Sequence, residues 1–249
     1  MSTWILQRGL TRESRHWGNF PDQLRAHVGN AQVITLDLPG NGRLNAQASP
    51  TCVEDMAAAC RATLQQRGLP PPYHLLAMSL GAMVALAWAA AHPDELKGCV
   101  LINTSSRTFS PWFQRLKPSN YLRLLGMLAA NEPQAIEATA LALTTRHPTH
   151  PRASLLAEWV AWRIENPVSR ANAVRQLWAA ARFSPPRNAP AVPMLVLVGA
   201  GDTLVDPRCS SQLAAHWGAA LRIHPTAGHD LPLDDGDWLA HEVSRWLEG

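Results

Sequence analysis

Six short apolar runs recur along the chain with helix-like stretches between them, and no other feature limits the fold so strongly. The runs fall at residues 4–7, 32–37, 74–78, 99–103, 194–198 and 221–224. Runs such as Met-Leu-Val-Leu-Val at 194–198 lack a polar alternation, which is the pattern of strands covered on both faces. Helix candidates at 20–27, 53–66, 80–91, 209–217 and 238–247 occupy the gaps. Strands separated by helices pair in parallel, because the crossover helix carries the chain back to the end at which the first strand began. The expected class is therefore α/β, with a mainly parallel sheet of about six strands flanked by helices.

The alternation stops between about residues 107 and 190, where helical stretches at 121–130, 133–144, 155–165 and 171–181 follow one another. Proline-rich breaks at 147–151 and 184–186 separate some of them. Strand character resumes only at Met194, so the block reads as an all-helical insertion and a candidate lid. The expected division is a core of residues 1–106 and 191–249 with a lid of residues 107–190. A chain of 249 residues is long enough to bury a substantial core in one such domain.

Several classes of function are set aside by composition. With 47% hydrophobic and 16% charged residues, the chain is neither disordered nor fibrous. No apolar run reaches the length of a bilayer span; the most apolar stretch, 83–91, is short and alanine-rich. The start, Met-Ser-Thr-Trp-Ile-Leu, lacks the features of a secretory signal. Cys52, Cys60, Cys99 and Cys209 show neither Cys-x-x-Cys spacing nor pairing with histidine, so reduced thiols in a cytoplasmic protein, with no metal or organic cofactor, are expected. The basic residues Arg107, Arg115, Lys117 and Arg123 cluster, but without the density and interleaved aromatics of a nucleic-acid surface. A local acidic partner stays open.

Chemistry enters at the third run, which passes through Ala77-Met78-Ser79-Leu80-Gly81 into a helix. A serine at such a strand-to-helix turn sits in strained backbone, and small residues two before and two after it avoid clashes. Ser79 is the candidate nucleophile, and the N–H of Leu80 at the helix start is a candidate oxyanion donor. Read alone, Ser79 is equally a helix cap. The fifth run ends in Gly199-Ala200-Gly201-Asp202, and the last leads into Gly228-His229-Asp230. Asp202 can orient the imidazole of His229, and His229 can take the serine proton. Asp206, the nearby rival, precedes Pro207 and reads as a cap of the next helix.

With these residues in the order Ser, Asp, His, the chain resembles the α/β-hydrolase superfamily, and the α/β-hydrolase fold is what the resemblance implies. Ala77 stands where that family usually has the first glycine of G-x-S-x-G. The turn Asp37-Leu-Pro-Gly-Asn-Gly also resembles the family and reads as structural punctuation. The first run ends in Gln7-Arg8-Gly9-Leu10, where the family commonly has His-Gly-x; Gly9 lets the backbone approach, so the N–H of Leu10 is the second candidate oxyanion donor. Arg8, Gly9, His16 and Trp17 are candidate substrate-binding residues, with Arg8 suited to a substrate carboxylate and His16 open to a plain loop role. Trp112, Phe113, Tyr121, Trp159, Trp162, Trp178 and Phe183 are expected to pack mostly within the lid.

In size, elbow and lid, the chain is most similar to the pimeloyl-acyl-carrier methyl ester esterase group and to short-chain carboxylesterases. The resemblance implies a serine esterase, with an acyl-carrier protein as a possible partner docked on Arg115, Lys117 and Arg123. Thioester cleavage, carbon–carbon hydrolysis and the elimination of a menaquinone-pathway synthase use the same triad, and a non-catalytic ligand-binding protein on the same scaffold is the alternative of another class.

Overall fold

A computed structural model describes residues 2–249. Six strands, β1 (Ser2–Gln7), β2 (Ala31–Leu36), β3 (Tyr73–Met78), β4 (Leu96–Ile102), β5 (Met194–Gly199) and β6 (Ala220–His224), form one sheet in the order β2-β1-β3-β4-β5-β6. Every neighbouring pair is parallel. Helices α1 (Phe20–Val28), α2 (Val53–Gln66) and α3 (Leu80–Ala91) connect the first four strands. Between β4 and β5 come α4 (Trp112–Arg115), α5 (Tyr121–Ala129), α6 (Pro133–Thr144), α7 (Arg152–Glu165) and α8 (Arg170–Arg182); α9 (Arg208–Trp217), α10 (Leu231–Asp234) and α11 (Gly236–Glu248) complete the chain. The expected strands and longer helices form within about three residues of their sequence-based bounds. Among the described residues, the short helices α4 and α10 and four single-turn 3₁₀ helices match no expected element.

Alternate strand residues enter two different cores, as the period of two requires. Ile5, Leu75, Leu101 and Val196 face α2, α3 and α9, whereas Trp4, Leu76, Val100 and Leu195 face α1 and α11. The sheet is thus apolar on both faces, which explains why its strands read as continuous hydrophobic runs. α3 is apolar on all sides and is buried from Leu80 to Ala89. The helices between β4 and β5 carry a small core of their own around Ala140, Leu141, Leu155 and Trp159.

Strand order reverses at β1, which lies between β2 and β3. The crevice outside the carboxyl ends of the strands beside such a reversal is where open α/β sheets place ligands. Gly9, Ser79, Asn103, Asp202 and His229 all follow the carboxyl ends of their strands. Among the described residues, no helix is long and apolar enough to cross a membrane.

Candidate active site

Ser79 stands between β3 and α3 with φ 55° and ψ −120°, a conformation a side-chain-bearing residue adopts only under strain. Its N–H donates to Ile102 O at 2.9 Å and its carbonyl accepts from Met83 N–H, which pins the turn. A Cβ at Gly81 would come within 2.5 Å of Gln7 O and 2.6 Å of Arg8 O, so the end of β1 lies directly on the start of α3. A Cβ at Gly9 would lie 3.0 Å from Ser79 Cβ. The two glycines therefore bring the loop after β1 against the serine, and Leu10 and Leu80 line the same cavity as Ser79.

Asp202 and His229 meet as a buried pair, with His229 Nδ1 and Asp202 Oδ2 2.6 Å apart. The other carboxylate oxygen, Oδ1, accepts from Leu204 N–H at 2.8 Å and Val205 N–H at 3.0 Å, so the turn itself fixes the carboxylate plane. Asp206, by contrast, accepts from Arg208 N–H at the start of α9. Among the described residues, no hydrogen bond joins Ser79 Oγ to His229; such bonds are often long before substrate arrives.

Two residues the sequence reading missed tie these pieces together. Asn103 Nδ2 donates to Gly228 O at 3.0 Å and His229 O at 2.8 Å, while its Oδ1 accepts from Gly199 N–H. Thr104 Oγ1 donates to Ser79 O at 3.1 Å. The end of β4 thus bridges the serine turn and the histidine turn. Thr11, Ser79 and Asn103 are the three non-glycine residues with positive φ among the described residues, and all three line one cavity. Strained backbone collected at one place is characteristic of a functional site. The sequence signal for Asn103 was its residue type at a strand end, since asparagine tolerates the left-handed region.

The expected substrate contacts of Arg8, His16 and Trp17 need correction. Arg8 is buried and bound through both terminal nitrogens to Asp230, at 3.0 and 2.5 Å, with its guanidinium 4.9 Å from the Trp17 ring. It therefore braces the loop after β1 against the residue that follows His229, and is not free for a substrate carboxylate. Trp17 is buried beside Phe20 in the sheet core. His16 is enclosed by Trp159 and Trp162 and lies 2.9 Å from Arg12 Nη1. Burial, and then the nearby Arg12 charge, push its pKa well below the usual histidine value.

The basic cluster is also largely committed. Arg115 donates to the Ala180 and Ala181 carbonyls at the end of α8, and Lys117 Nζ donates to Asp202 O at 2.6 Å. Arg107 and Arg123 of the cluster are exposed. Of the aromatics expected to pack inside the helical block, Trp159 and Phe183 are buried, but Trp112, Phe113 and Trp178 are exposed.

The loop after β1 is held from above by polar contacts. Arg12 and Arg163 both pair with Glu137 of α6, the first at 2.5 Å. Burial opposes ionisation of Glu137, yet the two guanidiniums outweigh it and hold its carboxyl below the usual range. Gln176 of α8 accepts from Thr11 N–H and donates to Asn41 Oδ1. Asn41 in turn donates to Arg12 O, and Asp37 accepts from Ser14. The Asp37-Leu-Pro-Gly-Asn-Gly turn is thus a buttress of this loop as well as punctuation. Between sheet rim and helices lies a cavity of about 670 Å³. Among the described residues, no cluster of three or more His, Cys, Asp or Glu is placed to hold a metal ion.

Fold and site together define a class. Over residues 5–236 the chain matches the family model of the alpha/beta hydrolase fold, and it belongs to that family. It is 29% identical over 254 aligned positions to a Klebsiella pneumoniae protein described as a carbamate hydrolase, RutD, covering 94% of this chain and 86% of that one. A 75-residue stretch is 40% identical to a pimeloyl-[acyl-carrier protein] methyl ester esterase of Chromobacterium violaceum, covering 30% of this chain and 27% of the relative. In structure the chain is similar to a protein described as a lipase from Acinetobacter baumannii AYE, with TM-score 0.81 and 23% identity over 99% of this chain and 83% of that one.

Proposed function

We propose that this protein is a serine hydrolase that cleaves a carboxylic ester through an acyl-serine intermediate. The observation that carries the reading is the strained Ser79 at the sheet rim together with the buried Asp202–His229 pair. In this reading His229 Nε2 takes the Ser79 proton as Oγ attacks the ester carbonyl, and Asp202 holds Nδ1–H and stabilises the imidazolium. The N–H groups of Leu10 and Leu80 receive the carbonyl oxygen as it gains charge. The imidazolium then protonates the departing alkoxide; water, deprotonated by His229, attacks the acyl-serine and releases the acid.

Residues 107–190 act in this reading as a lid over Ser79, supported by the cavity that lies between the helices and the sheet rim. The free cysteines Cys60, Cys99 and Cys209 are buried, which suits a cytoplasmic protein. Docking of an acyl-carrier protein retains only Arg123 of its three expected residues, so the proposal does not depend on it. A substrate carboxylate on Arg8 would favour thioester cleavage, carbon–carbon hydrolysis or elimination over simple ester cleavage; the pairing of Arg8 with Asp230 supports the ester reading instead.

Stopped-flow hydrolysis of p-nitrophenyl esters tests the proposal. We expect a burst of one p-nitrophenol per protein followed by slower turnover, and loss of at least about 10⁴-fold in kcat on Ser79→Ala with the melting temperature kept. Ester binding without turnover by the native protein would instead identify a ligand-binding member of the scaffold.

A further inference from the structure

We infer that the cavity above Ser79 receives an apolar acyl chain of medium or long length, rather than a small acyl group; this rests on the reading of Ser79 as the nucleophile. Size is the first reason. At about 670 Å³ the cavity is far larger than an acetyl or carbamoyl group needs, and falls within the range that encloses ligands of many heavy atoms.

Chemistry of the walls is the second. Leu10, Leu80 and Met83 line the sheet side, while Leu124, Met127 and Leu177 line the helical side, so a chain leaving Ser79 meets hydrocarbon on both faces. Three guanidiniums also reach the lining; Glu137 neutralises Arg163, whereas Arg115 and Arg170 meet only neutral oxygens, and among the described residues Arg115 Nε has no hydrogen-bond partner. Arg115 is held by the Ala180 and Ala181 carbonyls, Arg163 by Glu137, and Arg170 by Ala129 O and Asn131 Oδ1.

Access is the third. Trp112 and Ile164 both line the cavity and both remain 65% exposed, so the cavity reaches the surface through an apolar mouth. Exposed large apolar side chains at a cavity opening suit the passage of an alkyl chain better than that of a hydrated ion.

The test has two arms. In the first, kcat/KM is measured for p-nitrophenyl esters from acetate to dodecanoate, below their aggregation limits. It should rise by about fourfold per added methylene while the chain still gains buried surface. In the second, the Ser79→Ala protein is titrated with the same esters by tryptophan fluorescence, and binding should tighten along the series. Leu177→Trp, with Met127→Trp as a second position, should flatten the dependence in both arms. Turnover of esters with a flat series in both arms overturns the chain pocket and leaves the acyl-serine reading intact. Binding that tightens with length while no ester is turned over keeps the pocket and overturns the nucleophile.

Discussion

The two walls of the cavity are held by different forces. The sheet wall rests on continuous strand pairing, on two apolar cores that cover both faces, and on glycines that allow backbone to touch backbone. The helical wall has a small core of its own around Ala140, Leu141, Leu155 and Trp159, adds Ala179 and Phe183 to the α3 side of the sheet core, and is further attached by ion pairs and amide contacts such as Arg12–Glu137–Arg163 and Gln176–Asn41. Non-directional burial and close backbone contact fix the Ser79 turn to the rim. Directional polar contacts fix the shape of the space above them, and they are the more easily broken by charge or pH.

The largest expected effect tests the sheet wall. Gly81→Val would drive a side chain into the carbonyls of Gln7 and Arg8, neither of which can yield without opening β1. We expect a loss of about 4 kcal/mol or more, read as failure to accumulate folded protein or as a collapsed denaturation midpoint. A well-folded variant would mean that the contact between β1 and α3 is less rigid than described.

Glu137→Ala breaks the comparison from the other side. It leaves Arg12 and Arg163 without a shared counterion in a buried setting, which costs about 3 kcal/mol. Because the damage lies in the helical wall, hydrogen exchange should accelerate in α6 and α7 while β3 and β4 stay protected. Uniform acceleration would show that the walls unfold as one.

Acid should act more gently, mainly where the two walls meet, since His16 of the loop after β1 packs on Trp159 and Trp162 of α7. The folded His16 binds its proton well below the ordinary value of 6.5, so the unfolded chain binds more protons between the two values and stability falls as pH drops below about 6.5. Glu137 works in the same direction lower down, since its ionised form is favoured in the fold and stability is lost as the carboxyl is protonated. In the sheet wall, burial and then Lys97 lower His74 to about 4, so it adds to the same loss. The melting temperature should therefore fall from pH 7 to pH 5, and His16→Gln should make that slope shallower. An unchanged slope would remove His16 from the account.

The sheet wall was also the more legible in the sequence. Burial on both faces writes strands as apolar runs, and the strained serine turn demands small neighbours at fixed spacing, so Ser79, Asp202 and His229 stood out. Arg8, His16 and Trp17 were misassigned because nearness to Gly9 in sequence does not fix side-chain direction. Arg8 found its partner at Asp230, and His16 found a guanidinium and two tryptophans from α7. Asn103 left only a weak mark, since its role depends on carbonyls of a turn 125 and 126 positions away. Residues 107–190 gave helix lengths but not which aromatics turn outward, because that depends on a small core with few buried positions.

Labelling of the native protein with a fluorophosphonate, followed by peptide mapping, tests the central claim most directly. The account predicts one covalent adduct, on Ser79, forming at least about 10³-fold more slowly after His229→Ala. Labelling at another serine, or no labelling of correctly folded protein, would contradict it.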